Sequence, residues 1–246
     1  MVNVFSFCLY GPEIPFYYEG TLKNIELVKQ YFPRWKVYVY VGSDVSEAFI
    51  TKMETNSNVV IRRTGLLGAK NMIERFCAID EPDVDIMIVR DADSRIHWRD
   101  RWCINEFLTS RYIAHTIRDH TDHTARIMGG LWGLRKEAGI CIRKEYEDYD
   151  EDMSRGHRHA HDQNFLGDVI YPMIVDRMLV HYSNKRGRYG ENAVQIPFVW
   201  TDDCYCGFRE TRLVERYDPP MKHGAFSPLQ FINGPTPKLI NFLTTK

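Results

Sequence analysis

The feature that most constrains this chain is the alternation of strand-like and helix-like segments along its first 95 residues. Apolar runs predict four strands, at residues 2–9, 36–41, 58–61 and 85–89. Apolar residues at helical spacing predict three helices between them, at residues 19–32, 45–55 and 69–79. Such alternation is typical of a mostly parallel α/β sheet with helices on both faces, in which ligands bind beyond the carboxyl ends of the strands.

The second half of the chain is less regular. Strands are predicted at residues 112–117, 127–134 and 175–180. A helix is predicted from Asp162 to the residue before Pro172, and the acidic run 145–152 is interpreted as an exposed loop. The proline-containing sequence after residue 200 is interpreted as a wrapping tail. No repeat or low-complexity linker divides the 246 residues, so we predict a single domain.

Composition excludes several classes of function. The formal net charge is −1, so the chain lacks the broad basic field that holds nucleic acid. It contains neither the glycine-rich dinucleotide and phosphate-loop motifs nor the G-x-S-x-G motif of serine hydrolases. No apolar run is long enough to span a bilayer, and the N-terminus resembles a first strand more than a signal peptide. Six scattered cysteines fit reduced thiols, so we expect a cytoplasmic protein.

The strongest candidate for chemistry is the hexapeptide RDADSR at residues 90–95, which directly follows the strand predicted at 85–89. In an extended segment the carboxylates of Asp91 and Asp93 point the same way, so both can face one ion. Hard oxygen ligands of this kind suit Mg²⁺ or Mn²⁺. A turn with two solvated acids is an equally simple interpretation of an isolated D-x-D.

Arg75 is the second candidate, because it lies on the flank of the apolar stripe of the helix predicted at 69–79. An arginine in that position is half buried and needs an anionic partner. Its guanidinium either reaches the surface, or forms a structural ion pair with Asp80 or Asp91, or points towards the ion site.

Other candidates have both a structural and a functional interpretation, and for Asp162 the structural one is strong. Gly129 and Gly130 allow close backbone approach but also fit a simple bulge, and Trp132 would form a wall. Asp162 fits a helix N-cap, and Gln163 beside it could present its amide to a sugar hydroxyl.

Two further candidates lie at the ends of predicted strands. Asp119 follows the strand predicted at 112–117, and His181 follows the one predicted at 175–180. His181 could add a nitrogen ligand to the metal, although a single histidine at a strand end is more often structural. A cationic loop either closes over phosphates or forms a solvated turn, and its charged residues are Lys185, Arg186 and Arg188.

Seven segments follow one another along the chain, namely FSFCLYG, YYEGTLKNIELVKQYFPRWKVYVYV, MIERFCAID, RDADSRI, HTIRDHTDH, IMGGLWG and DQNFL. Taken together and in this order, they resemble metal-dependent glycosyltransferases of the GT-A fold, which carry a D-x-D motif after a nucleotide-binding α/β half. A narrower resemblance is to the small glycosyltransferases of large algal viruses, including the rhamnosyltransferase domain that decorates a chlorovirus capsid protein.

The resemblance covers about residues 3–182, and it implies a GT-A-type fold and an activity. The domain would comprise a nucleotide-binding half (1–95), a sugar and acceptor half (96–200) and a tail (201–246). The chain would transfer a sugar from a nucleotide donor, such as a UDP-sugar, to a glycan or glycoprotein hydroxyl with Mn²⁺ or Mg²⁺. If the chain is encoded by a virus, that activity belongs in the host cytoplasm.

The resemblance also implies a role for each matched residue. Asp91 and Asp93 would hold the ion, with His181 as a third ligand. Arg75 would contact the donor, as would the residues Tyr10, Gly11, Ala92, Lys185, Arg186 and Arg188. Four residues would line the sugar and acceptor pocket, namely Gly130, Trp132, Asp162 and Gln163. An inverting reaction needs a base, for which Asp119 and Asp162 are candidates, whereas the resemblance favours retention, which needs none.

Two rival functions remain open from sequence. In a haloacid-dehalogenase-type phosphatase Asp91 would be the nucleophile and Asp93 the general acid. That class normally places its D-x-D on the first core strand, whereas three strand–helix units precede it here. The second rival is a sugar- or nucleotide-binding module without turnover.

Overall fold

The computed structural model describes residues 1–151, 161–183, 189, 191–198 and 204–209. The described strands form one eight-stranded sheet in the order β3-β2-β1-β4-β6-β5-β7-β8. Their bounds are β1 (Val2–Leu9), β2 (Lys36–Val41), β3 (Val59–Arg63), β4 (Val84–Arg90), β5 (Ala114–Arg118), β6 (Leu131–Arg135), β7 (Met178–Tyr182) and β8 (Asn192–Gln195). Within this described sheet only β6 runs antiparallel to its neighbours, β4 and β5. The predicted mostly parallel α/β sheet is confirmed.

Helical segments connect the strands. The α-helices are α1 (Pro15–Tyr31), α2 (Glu47–Glu54), α3 (Trp98–Thr109), α4 (Ile142–Glu151), α5 (His161–Phe165) and α6 (Tyr171–Ile174). The segment predicted as a helix at 69–79 is a 3₁₀ helix, Gly68–Asp80. A π-helical segment, Leu166–Ile170, joins α5 to α6, and shorter 3₁₀ turns are Lys136–Ala138 and Val175–Arg177.

Alternation along β1 explains how two cores form on the two faces of the sheet. Phe5, Phe7 and Leu9 face one side and pack with residues from α1, α2 and α3. Val4 faces the other side and packs with residues from the 3₁₀ helix Gly68–Asp80 and from α5. Both faces of the sheet are therefore covered, as burial of a parallel sheet requires.

Residues 145–151 of the acidic run predicted as a loop are part of helix α4. The Asp80 carboxylate accepts hydrogen bonds from the backbone N–H groups of Ile142 and Arg143, 2.9 and 2.8 Å away, at the start of this helix. Tyr146 and Tyr149 pack against Phe165, so the helix has an apolar side despite its many acids. The prediction was wrong because the capping carboxylate lies 62 residues away in sequence.

The helix predicted to stop before Pro172 continues to Ile174, at the end of α6. The π-helical segment precedes the proline, and Pro172 occupies an N-terminal position of α6, where its missing N–H costs little. The strand predicted at 175–180 begins later, at Met178. Among the described residues, no helix combines the length and the apolar character that a membrane crossing requires.

Candidate functional site

The candidate site lies where β4 ends and β6 begins. Arg90, the last residue of β4, pairs with Leu131, the first residue of β6, so the antiparallel register brings Gly130 beside Asp91. A Cβ atom at Gly130 would overlap the carboxylate of Asp91. The strand predicted at 127–134 therefore starts only after the two glycines, which form a backbone shelf against the first acid of the D-x-D. The Asp91 side chain is 44% exposed, so this carboxylate is open to a ligand.

Arg75 lies behind Asp91 and is almost fully buried. Its Nη2 atom lies 2.8 Å from Asp162 Oδ2 and 3.4 Å from Asp91 Oδ1. Its Nη1 atom donates to the Met72 carbonyl at 2.8 Å and contacts Cys8 Sγ at 3.3 Å. Burial works against its charge, but the surrounding Cys8, Asp91 and Asp162 outweigh burial and raise the pKa of Arg75. The guanidinium is thus a fixed positive charge that joins the two carboxylates.

Asp93 has a different environment from Asp91. Its side chain is only 6% exposed, and its Oδ2 atom lies 2.8 Å from Nε of Arg209. Burial, and next the charge of Asp91, raise the pKa of the Asp93 carboxyl, while Arg209 opposes the shift. The segment is a turn in which the Ser94 N–H donates to the Asp91 carbonyl at 3.4 Å. The expectation of an extended segment was wrong, because this turn breaks the alternation on which it rested.

Helix α1 fixes the position of this turn from the other side of the sheet. Asn24 Nδ2 donates to the Ser94 carbonyl at 2.7 Å, and Asn24 Oδ1 accepts from the Ile96 N–H at 3.1 Å. A Cβ atom at Gly20 would overlap the Ala92 carbonyl, so only glycine allows α1 to approach so closely. Ala92 itself is buried under this contact.

Gln163 shapes the glycine shelf instead of presenting its amide to solvent. Its Oε1 atom accepts from the Gly129 N–H at 2.9 Å, and its Nε2 atom donates to the Ile127 carbonyl. Asp162, in the first turn of α5, directs its carboxylate to Arg75 and not to the helix N-terminus. The interpretation of Asp162 as a simple N-cap is therefore replaced by a buried ion pair.

Two residues at the end of β1 border the same edge of the sheet. Tyr10 is half buried, and burial raises its pKa to about 12, so its hydroxyl stays protonated. Gly11 has a φ of 77°, which favours glycine, and its carbonyl accepts a 2.6 Å hydrogen bond from the Tyr18 hydroxyl.

Asp119 does not provide a free carboxylate. It is fully buried, with the Nε and Nη2 atoms of Arg99 at 2.7 and 2.6 Å from its two oxygens. It also accepts from the Ser183 hydroxyl and, at 2.8 Å, from the Cys206 N–H. The prediction of Asp119 as a base therefore fails on geometry, since every oxygen already serves a buried structural network.

Trp132 and His181 are core residues of the described structure. Trp132 is fully buried and its ring packs edge-on against Phe76, so it does not line a pocket. The ring of His181 is fully buried and contacts Trp102 and His115. Burial lowers the pKa of His181 to about 3, so it remains neutral. The structure gives His181 these core neighbours and not the D-x-D acids. The predicted cationic residues Lys185, Arg186 and Arg188 lie outside the described residues.

One other group of potential metal ligands occurs among the described residues, formed by His97, Asp100 and Cys206. His97 caps α3: its Nδ1 atom accepts from the Arg99 N–H at 3.2 Å. This bond places the ring hydrogen on Nε2, which faces the Tyr205 carbonyl at 3.0 Å. The ring nitrogens are therefore both engaged in hydrogen bonds that hold α3 and the segment at 205, and we regard the group as structural.

Two members of the site were missed by sequence reasoning. Cys8 lies near the carboxyl end of β1, where it contacts Arg75. Its position near that strand end could have indicated that it belongs to the site. Arg209 had no such signal, because its contact with Asp93 joins segments more than a hundred residues apart.

The architecture is the GT-A type of α/β fold that the sequence led us to expect. No family model and no curated protein matches the chain. Among solved structures, 4-diphosphocytidyl-2C-methyl-D-erythritol synthase from Anaerococcus prevotii is similar, with 11% identity and a TM-score of 0.50 over 76% of this chain and 89% of that one. S. aureus TarS, residues 1–349, has 14% identity and a TM-score of 0.50 over 72% of this chain and 57% of that one.

A glycosyltransferase involved in the glycosylation of the major capsid of PBCV-1 has 14% identity and a TM-score of 0.48, over 73% of this chain and 81% of that one. At identities this low, structural likeness defines the fold, and function has to be argued from the site.

Proposed function

We propose that this chain is a glycosyltransferase that moves a sugar from a nucleotide donor, most simply a UDP-sugar, to a hydroxyl of a glycan or glycoprotein. The observation that carries the proposal is the position of Asp91. Its carboxylate is open at the carboxyl edge of the central sheet, it rests on the Gly130 backbone, and the buried Arg75 supports it. This edge is where α/β sheets bind their ligands.

The residues present fit a divalent cation, Mn²⁺ or Mg²⁺. Asp91 and Asp93 supply hard carboxylate oxygens, which such ions prefer. Around them, the carboxylates of Asp91, Asp93 and Asp162 form ion pairs with the guanidiniums of Arg75 and Arg209. When bound, the ion would stabilise negative charge on a departing nucleoside diphosphate.

Arg75 would hold Asp91 and Asp162 in fixed positions while the donor binds, since its guanidinium contacts both carboxylates. Tyr10 and Gly11 would border the donor, because the ends of β1 and β4 are neighbours in the sheet. The predicted donor contact of Ala92 is not proposed again, since Ala92 is buried against α1. Lys185, Arg186 and Arg188 remain predicted phosphate contacts. Gly130 and Gln163 would set the shelf on which the sugar lies.

The engagement of Asp119 and Asp162 by arginines supports a retaining reaction. Neither carboxylate predicted as a base is available, because Asp119 is held by Arg99 and Asp162 by Arg75. An inverting transfer needs a base to take the acceptor proton, whereas a retaining transfer on one face of the sugar does not. We therefore propose retention.

We further propose the domain division and the biological setting implied by the sequence. Residues 1–95 would bind the nucleotide, 96–200 the sugar and acceptor, and 201–246 would form the tail, within one domain. The resemblance to the glycosyltransferases of algal viruses and their relatives supports a glycoprotein acceptor and a cytoplasmic site of action.

A donor-hydrolysis assay tests the proposal. The chain is incubated with a panel of UDP-sugars and Mn²⁺, and released UDP is measured for the wild type, Asp91→Asn and Asp168→Asn. Asp168 is an exposed carboxylate on the helical segment that follows α5, so its variant controls for the loss of one negative charge. We expect release by the wild type and Asp168→Asn, and none by Asp91→Asn. Binding without release would indicate a binding module, and phosphate release from a generic phosphomonoester would indicate a phosphatase.

A further inference from the structure

A short segment of the chain, residues 204–209, lies across the D-x-D turn, and we refer to it as the strap. Two of its backbone groups are bound on the side of α3: the Tyr205 carbonyl by His97 and the Cys206 N–H by Asp119, at 3.0 and 2.8 Å. Two contacts reach the turn itself. The Phe208 carbonyl accepts from the Arg95 N–H at 3.3 Å, and Arg209 forms a β-bridge with Ser94.

The two ends of the strap are held very differently. Cys206 is fully buried, and its N–H binds Asp119 inside the buried ion pair with Arg99. Arg209, three residues further on, has a side chain that is 67% exposed. The Cys206 end is therefore anchored in the core, whereas the Arg209 end is held by an exposed side chain and by its two backbone contacts with the turn.

Arg209 is the cation that Asp93 holds in this structure. Asp93 is only 6% exposed, and Arg209 Nε lies 2.8 Å from its Oδ2 atom. A buried carboxylate without a cation is costly, and of the two arginines whose charges act on Asp93, Arg209 acts more strongly than Arg95. Arg209 also occupies one of the two carboxylate oxygens that a second cation could use.

Arg75 provides the contrast within the same site. It is 6% exposed, and its guanidinium contacts the Met72 carbonyl, Cys8 and two carboxylates. Removing it from Asp91 would break all of these contacts. Arg95 also acts on Asp93 through its charge, but its guanidinium is buried and bound to the Ala92 and Ser94 carbonyls. Arg209 is therefore the exchangeable arginine beside the D-x-D acids.

We propose that Arg209 is a built-in competitor of the divalent cation: it neutralises Asp93 in the metal-free protein, and binding of the cation displaces it together with the Arg209 end of the strap. This inference rests on the proposed function, since it concerns regulation of the same site. Asp93 keeps a cationic partner in both states, so the carboxylate is never buried alone. Metal binding is thereby coupled to opening of the strap beside the D-x-D turn.

Calorimetric titration with MnCl₂, without nucleotide, tests the competition. Wild type, Arg209→Gln and Lys23→Gln are compared; Lys23 is an exposed lysine of α1 paired with Glu26, so its variant loses the same charge elsewhere. We expect Arg209→Gln to bind Mn²⁺ about threefold or more tightly than the wild type, because an ion pair with one exposed partner is weak but must still be broken. Lys23→Gln should match the wild type. Equal binding of Mn²⁺ by Arg209→Gln and the wild type would overturn the proposal. Weaker binding by Arg209→Gln would also overturn it, because it would show that Arg209 promotes Mn²⁺ binding.

The same titration separates this proposal from the proposed function. Binding to the wild type with no gain in Arg209→Gln contradicts only the competition. Binding that appears only in Arg209→Gln supports the competition, and no binding by either protein overturns both.

A nuclear magnetic resonance measurement follows the strap directly. The ¹H–¹⁵N signal of Arg209 Nε is assigned by its loss in Arg209→Gln, and diamagnetic Mg²⁺ is then added. We expect the signal to move to the position of a solvated guanidinium as Mg²⁺ saturates the site. A signal that keeps its position at saturation contradicts displacement of Arg209.

Discussion

Gly130 lies against Asp91 so closely that a single added carbon at the glycine would overlap the carboxylate. The contact results from the antiparallel register of β4 and β6, in which Arg90 is paired with Leu131. One side of the Asp91 carboxylate thus lies against the bare backbone of Gly130, and its other side is open to a ligand.

Gly130→Ala should therefore displace Asp91 and abolish Mn²⁺-dependent UDP binding with little loss of stability. Gly167→Ala is the matched control, because a Cβ there meets nothing within 4 Å and the residue has no positive φ. Calorimetric titration with Mn²⁺ and UDP measures the effect. Equal affinity of the two variants would show that the shelf does not position the acid.

Arg75→Lys should retain the positive charge but lose the fork that contacts Asp91 and Asp162 together. We expect donor hydrolysis to slow by about 10²-fold, the usual effect of removing one preorganised charged donor. The control is Arg62→Lys, which alters a partly exposed pair with Glu81. Steady-state rates of UDP release measure both variants, and a rate for Arg75→Lys within twofold of the control would contradict the role of the fork.

Asn24→Ala should destabilise the turn that carries the D-x-D. The substitution leaves the Ser94 carbonyl and the Ile96 N–H buried without their partners, at about 1–3 kcal/mol for each group. Urea unfolding measures the loss, and Asn164→Ala, an exposed asparagine of α5, is expected to change the free energy of unfolding little. A similar small change for Asn24→Ala would show that α1 does not support the turn.

Stability should fall as the pH drops below about 6.5, the ordinary pKa of histidine in an unfolded chain. Burial lowers the pKa of His181 to about 3 and lowers that of His115 as well. Between pH 6.5 and about 3 the unfolded state binds more protons at His181, so the stability that this neutral imidazole contributes is complete above pH 6.5 and falls by about 1.4 kcal/mol per pH unit below it. The shift of His115 acts in the same direction.

Urea unfolding at pH 7.5 and 5.5 checks this expectation. The difference in unfolding free energy between the two pH values should be about 1.4 kcal/mol smaller in His181→Phe than in the wild type. An unchanged difference would indicate that His181 titrates normally in the folded protein.

The strand and helix order of the first 95 residues was predictable because each element is encoded locally. In β1, for example, residues alternate between two buried faces, and in α2 the cap residue Ser46 precedes a short apolar stripe. The D-x-D could be placed at a strand end for the same reason.

Contacts between distant segments could not be read from local pattern. The partner of Arg75 is Asp162, 87 residues away, and no periodicity indicates that pairing. The same holds for Asp80 at the start of α4 and for Arg209 on Asp93. Trp132 and His181 were misassigned because the local sequence around a residue near a strand end is the same whether its side chain faces a pocket or the core.

The most direct test of the account is a crystal structure of the chain with Mn²⁺ and UDP, with anomalous scattering measured at the manganese edge. We predict one anomalous peak in contact with the carboxylate oxygens of Asp91 and Asp93, with the UDP diphosphate bound to it. A peak elsewhere, or UDP bound away from the carboxyl edge of β4, would contradict the central claim.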